Sequence, residues 1–285
     1  MAELVGVFGV PHNPLLWETL RPPYPDDLER AAENFDRFSG LIQDSGAETL
    51  VIVGSDHFRR FFFDNSPAII VGKAERYPTG YPNEIRTFGI EPNEVAGDVA
   101  ISEAILGTTN LPGNFDLGMS NEWLLDHAYS IPLRYLTPRH DLAVVPIHTN
   151  CNMPPVPTAR RFVELGEYLR TAIEAAPVDR KVAIVTTGHL ATDLGGPKQF
   201  LGGASPDAEF DAQAVEWMRT GSIADAIDGC GFERLVNAGN VTLQFMNLLT
   251  GLAAAGGRPA TFAEGTASRY AAMAFFHWDT PRSGR

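Results

Sequence analysis

Residues 50–61 read LVIVGSDHFRRF. Four β-favouring apolar residues run into Gly54, and the chain then presents Ser55, Asp56 and His57. A short unbroken apolar run bounded by a turn signal fits a strand buried on both faces, as in a parallel sheet. Open α/β sheets bind ligands just past the carboxyl ends of their strands. An Asp-His pair at that place is either a hydrogen-bonded structural histidine or a metal-binding or catalytic imidazole.

Working outward, the same grammar recurs. Residues 4–10 form a first strand that runs into Pro11-His12-Asn13-Pro14, where two prolines stiffen the loop around His12. Residues 26–44 carry Leu28, Ala31, Phe35, Phe38 and Ile42 at helical spacing, with Gly46 as the stop. Residues 67–72 read as a strand, and 73–93, rich in Pro, Gly, Tyr and Thr, as a long loop. Residues 94–106 have helical spacing, and 115–119 are strand-like. A second Asp-His pair, Asp126-His127, stands near a helix start.

Residues 142–147 form a strong strand ending at His148, and the PPVP turn at 154–157 precedes a helix capped by Thr158. Residues 181–186 form another buried strand, followed by Gly188-His189 and the Gly-rich LGGPKQFLGG. Acidic helices follow at 207–218 and 223–230. Residues 235–255 read as one mostly buried helix with Gln244 in an early turn, and AAMAFFHW at 271–278 is strand-like. No repeat or linker interrupts the chain. The pattern predicts one α/β domain over residues 1–285, a central mixed β-sheet flanked by helices, with the active site at strand ends.

Composition narrows the function. With 35 acidic against 22 basic residues the formal charge is −13, which disfavours nucleic acid, since phosphate binding needs clustered Lys and Arg. Two cysteines, Cys151 and Cys230, make no disulfide framework and point to a reduced, cytoplasmic setting. The first residues lack the pattern of a signal peptide, and no apolar run reaches the ~18 residues of a membrane span.

Of seven histidines, His12, His57, His148 and His189 follow strands, and His127 lies in the second Asp-His pair. Strand ends of one sheet share a rim, so these imidazoles can converge on a metal. Two His and a carboxylate on one face of the ion is the non-haem Fe(II) oxygenase arrangement. Asp56 and Asp126 can orient imidazoles without binding metal. Spacing alone does not choose iron over zinc. His140 and His277 read as structural or exposed.

Seven segments, in order, resemble the class III extradiol ring-cleavage dioxygenases: FGVPHNPLL, SDHFRRFFFDNSPAIIVG, LDHAYSIPL, AVVPIHTNCNMPPVP, VTTGHLATDLGGPKQFL, DAEFD and NAGNVTLQFMNLL. The resemblance implies Fe(II) held by His12 and His57, with His127 beside the substrate. It implies a small aromatic diol and O₂ as reactants, and an oligomer, either of this chain or with a related or small cap subunit.

Two positions depart from the family. Gln244 stands where its metal-binding Glu is, and a neutral amide is a weaker donor than a carboxylate. Thr192 stands where its acid/base His is, and threonine is no base near pH 7. His189 and His148 are the substitutes at hand, in catalytic and substrate-side roles respectively, with Asp126 beside the substrate and Asp193 and Glu122 as stand-in carboxylates. Three functions follow: a ring-opening dioxygenase with an atypical site, a non-catalytic subunit paired with an active paralogue, or a metal-dependent hydrolase or lyase reusing the two His.

Overall fold

The computed structural model describes residues 1–107, 115–139, 141–195, 206–268 and 271–280. His140 and most of the Gly-rich segment after Leu194 lie outside them. The strands are β1 (Glu3–Val10), β2 (Thr49–Gly54), β3 (Ile69–Gly72), β4 (Arg76–Thr79), β5 (Asn93–Ala96), β6 (Gly118–Ser120), β7 (Ala143–Thr149), β8 (Lys181–Thr187), β9 (Phe262–Ala267) and β10 (Ala272–Trp278). The helices are α1 (Leu16–Thr19), α2 (Glu29–Ser45), α3 (Pro82–Phe88), α4 (Val99–Gly107), α5 (His127–Leu136), α6 (Ala159–Ala175), α7 (Ala208–Thr220), α8 (Ile223–Gly229), α9 (Phe232–Ala238) and α10 (Met246–Ala254).

Eight strands make one mixed sheet, ordered β6-β3-β7-β2-β8-β1-β10-β9, and β4 and β5 pair separately. Its centre, β7-β2-β8-β1, is parallel, whereas β3 and β10 join its two sides antiparallel. Both faces are covered, which explains the unbroken apolar reading of residues 50–53. Val51, Val53, Val145 and Ile184 face α6 and α10, while Leu50, Ile52, Val144 and Val185 face α2 and α5. On the second face Phe8, Phe35, Phe38 and Phe275 meet edge to face, with ring centres 5.0–5.9 Å apart. Each buried phenyl contributes about 2–3 kcal/mol by leaving water. Helix α2 ends where Gly46 takes φ 70°, a left-handed stop that suits glycine. Among the described residues no helix is long and apolar enough to cross a membrane.

Three expectations need correction. The stretch 73–93 is not a bare loop: it holds β4 and α3 and runs into β5. Residues 93–96 pair with 76–79 as a hairpin, so the helix expected from 94 begins at Val99. The single helix expected over 235–255 is broken into α9, a 3₁₀ turn (Thr242–Phe245) and α10. The break lies at Gly239, whose backbone packs against Thr192: a Cβ there would lie 2.4 Å from the Thr192 oxygen. Apolar periodicity continues across such a break and does not reveal it.

Candidate active site

The parallel register puts four strand ends at one level. Val10 pairs with Thr187, Val53 with Thr186 and Gly54 with His148. The residues that follow, His12 after β1, His57 after β2 and His189 after β8, therefore emerge on the same rim. His127, at the start of α5, is added from the adjoining layer. Ring centres lie 4.3 Å apart for His12 and His189, 5.1 Å for His12 and His57, and 6.0 Å for His12 and His127. His57 and His127 stack at 3.9 Å, 26° from parallel.

Carboxylates hold two of these rings. His57 donates its backbone N–H and its Nδ1–H to Asp126 Oδ2, both at 2.8 Å. The other oxygen of Asp126 caps α5 by accepting from the Ala128 N–H at 3.1 Å. His127 Nδ1 lies 2.7 Å from Glu84 Oε1, which also meets Arg59 at 3.4 Å. Anchored through Nδ1, each ring presents Nε2, the arrangement in which a carboxylate orients a metal-binding or substrate-facing imidazole. His57, Asp126 and His127 bring ligand atoms within 4.8 Å of one another. Since Asp126 already binds His57 Nδ1 and caps a helix, we read it as the orienting group and not as a metal ligand.

The loop after β2 explains Asp56. Its carboxylate accepts from the N–H groups of Arg59, Arg60 and Phe61, closing the turn that projects His57. Burial, then the nearby Asp126, pushes the Asp56 carboxyl up to about 6 despite those donors. Asp56 also donates its own N–H to His148 Nδ1 at 3.0 Å. That bond places the His148 proton on Nε2, and the ring packs against Phe61 at 4.5 Å. His148 is thereby occupied in shaping the β2 loop. Burial lowers it to about 3, so it is neutral at pH 7.

The two departing positions are both buried. Gln244 lies in the 3₁₀ turn and donates Nε2–H to His57 Nε2 at 3.1 Å and to Asn152 Oδ1 at 3.2 Å. Gly188 permits this approach, since a Cβ there would lie 2.4 Å from the Gln244 carbonyl oxygen. Thr192 donates its N–H to Thr242 Oγ1, and its own Oγ1 is buried with no hydrogen-bond partner among the described residues. Asp193 accepts from the Asn240 N–H and serves the loop, whereas Glu122 is exposed. His277 is stacked on Phe8 in the sheet, 4.7 Å between ring centres.

Burial keeps three of these rings, His12, His127 and His189, neutral. Burial, then His189, His57 and His127, drives His12 well below the ordinary histidine value. Burial, then His57, does the same for His127. Burial, with His57 and His127, brings His189 to about 3. Burial raises Glu84 as well. Charge is costly on both members of the Glu84–His127 pair, and their 2.7 Å contact requires one shared proton between them.

Several unpartnered polar atoms lie in the cluster itself. Both ring nitrogens of His12, Nδ1 of His189 and Oε1 of Gln244 are buried with no hydrogen-bond partner among the described residues. Leaving such groups bare costs about 1–3 kcal/mol each, so a bound ion or water is expected there. Converging imidazoles with oriented Nε2 atoms are a donor set that fits a divalent transition metal.

Sequence reading had not singled out Glu84 or Asn152. Pro82 at a helix start with an acid in the first turn and Gly89 at the stop was the available signal for α3. Nothing local pointed to Asn152, whose Nδ2–H donates to the Asp56 carbonyl at 2.6 Å.

Comparison with known proteins identifies the family. The model of the catalytic LigB subunit of aromatic ring-opening dioxygenase matches residues 6–279, and the chain belongs to that family. Gallate dioxygenase of Pseudomonas putida is 35% identical over 119 residues, 41% of this chain and 35% of that protein. The 2,3-dihydroxyphenylpropionate/2,3-dihydroxicinnamic acid 1,2-dioxygenase of Photorhabdus laumondii is 28% identical over 212 residues, 70% of this chain and 58% of that protein. The chain thus spans between about a third and three fifths of these curated relatives' own length. The crystal structure of the uncharacterized protein JW3007 from Escherichia coli K12 shares the fold, with a TM-score of 0.63 at 15% identity over 96% of this chain and 99% of that one.

Proposed function

We propose that the protein is an extradiol-type dioxygenase that uses Fe(II) and O₂ to open a small aromatic ring bearing adjacent hydroxyls. The observation that carries this is the convergence of His12 and His57, from one sheet rim, with His127 from the start of α5, His57 and His127 being held by buried carboxylates. The names of the relatives supply the substrate class.

His12 and His57 would hold the metal. A ferrous ion there would supply the electronic path between a chelated diol and dioxygen, which otherwise do not react because of spin. The remaining work falls to the chain. His127 Nε2 accepts a hydrogen bond from a ring hydroxyl, or its proton, while Nδ1–H stays on Glu84. Glu84 disperses the positive charge that forms on His127. Asp126 fixes His57 and, through the start of α5, the position of His127. Thr192 can exchange hydrogen bonds with substrate but takes no proton at neutral pH. His189, held to about 3, is an unprotonated lone-pair donor there and not an acid. His148 and Asp126 act on the substrate side by shaping the walls.

Assembly belongs to the same reading. Phe62 and Phe63 are exposed on the loop directly after His57, where a second copy or a small cap subunit would cover the site.

A second reading, a non-catalytic subunit, draws on Gln244 and Thr192 at the two departing positions. Both readings are tested by loading the purified chain with Fe(II) anaerobically, adding gallate or 2,3-dihydroxyphenylpropionate, and following O₂ uptake and the absorbance of ring-opened product. The dioxygenase consumes one O₂ per diol, and His57→Ala abolishes this. Metal-loaded chain that consumes no O₂ with a panel of such diols sinks the first reading. Turnover without O₂ indicates hydrolase or lyase chemistry instead.

A further inference from the structure

We infer that Asn247 is a positioning residue of the site: its buried side chain ties the helix that follows Gln244 to the three strand ends beside His57, His148 and His189, and so sets the spacing of the cluster. This rests on the reading of that cluster as the active site. The sequence of α10, MNLLTGLAA, is apolar apart from Asn247 and Thr250, and both are fully buried. A side-chain amide in such surroundings is costly unless its hydrogen bonds are made. It offers two N–H donors and two lone pairs, and Asn247 uses all four.

Nδ2–H donates to the Thr187 carbonyl at 3.0 Å and to Ser55 Oγ at 3.1 Å. Oδ1 accepts from Thr149 Oγ1 and, at 3.7 Å, from Cys151 Sγ. The hydroxyls of Ser55 and Thr149 lie 3.3 Å apart. Three side chains thus close a ring in which Asn247 donates to Ser55, Ser55 to Thr149 and Thr149 back to Asn247. The Thr187 carbonyl can only accept, so it fixes which way the amide faces. All five residues are 0–2% exposed, and in so dry a place each bond supports the next.

What the ring joins gives it its role. Ser55 stands between the end of β2 and His57, Thr187 ends β8 two residues before His189, and Thr149 ends β7 beside His148. Strands β7, β2 and β8 are neighbours in the sheet. On the helix side, Gln244 lies one turn before Asn247. Its Nε2 is 3.1 Å from His57 Nε2, and its side chain also lies against His12. A neutral amide at 244 is held less firmly by any ion than a carboxylate would be. The turn that carries it is held through Asn247 instead. Asn247 bonds none of the histidines among the described residues and acts through these neighbours.

Nitrogen-15 NMR spectra of the histidine-labelled, metal-free chain, with urea unfolding and cobalt(II) titration, test this without turnover. The signals are assigned from single His→Gln variants. Asn247→Leu keeps the bulk of the side chain and removes all four bonds. Thr250→Val is the control: it deletes the buried bond from Thr250 Oγ1 to the Phe162 carbonyl, one turn further along the same helix, and touches none of the ring. Both variants should unfold at lower urea than wild type. Only Asn247→Leu should shift the ring-nitrogen signals of His57 and His189 and weaken cobalt binding, by about tenfold or more. Thr149→Val removes one member of the ring and should shift the same signals by less; it decides the outcome should Asn247→Leu not fold. Signals that stay at their wild-type positions in the folded variant, or that move as far in Thr250→Val, overturn the inference, and Asn247 then stabilises the fold without placing the site. The spectra are read without metal or substrate. A chain that binds no cobalt or oxidises no diol therefore sinks the dioxygenase reading and leaves the spectra to decide on Asn247.

Discussion

Glu84 has the most work relative to its visibility in the sequence. It is wholly buried, and one oxygen serves both His127 and Arg59. Glu84→Ala leaves His127 Nδ1–H without an acceptor in a dry site. We expect a loss of about 1–3 kcal/mol in urea unfolding and a fall in kcat of about 10–100-fold with metal content unchanged. Glu84→Gln, whose amide oxygen still accepts, should recover most of the stability and little of the rate. If Glu84→Ala unfolds at the same urea concentration as wild type, the hydrogen bond does not hold His127. His12 and His57 could be singled out in the sequence because a strand end is a local feature. Glu84 could not, because its meaning lies in a ring 43 positions away that only the tertiary fold brings to it.

At the scale of elements, the site depends on two close backbone approaches. Gly188 lets the 3₁₀ turn lie against the end of β8, and Gly239 lets α9 end against Thr192. A Cβ at either would stand 2.4 Å from a carbonyl oxygen, so the backbone must move. Gly188→Ala should cost about 1–3 kcal/mol in stability and displace Gln244 and His189 together. The check is a lowered urea midpoint accompanied by weaker cobalt binding. An unchanged midpoint would mean the turn yields without strain. The parallel strands were legible because burial on both faces leaves an unbroken apolar run. The hairpin of β4 and β5, with α3 between the two strands, was not, since Pro and Gly mark turns equally well inside a loop and between short elements. The division of residues 235–255 was hidden for a related reason: apolar residues continue through the break, and what breaks the helix is the close packing of Gly239 on Thr192.

Across the whole molecule, the buried histidines set the response to acid. Unfolded, they take up protons near the ordinary value of about 6.5. Folded, His148 and His189 stay neutral down to about 3, and His12, His127 and His277 are also held low, each mainly by burial. Between those limits the unfolded chain binds more protons, so stability is full above about pH 6.5 and falls as the pH drops toward 3. Asp56, raised to about 6, acts in the opposite sense: its contribution is present in acid and is lost as the pH rises through 6. Glu84 acts likewise. Five imidazoles against two carboxyls leave the histidines dominant, and the metal-free chain should lose stability from pH 6.5 downward. His148 isolates one share of this, because its ring, carried by β7, packs against the loop after β2 and away from His12 and His57. His148→Gln keeps an acceptor for the Asp56 N–H and removes one titrating group. The slope of unfolding free energy against pH between 6 and 4 should then flatten by roughly 1.4 kcal/mol per pH unit. Urea unfolding of both proteins at half-unit intervals measures it. Parallel slopes would show that His148 gains its proton in the folded chain as readily as in the unfolded one, and that its burial does not hold it neutral.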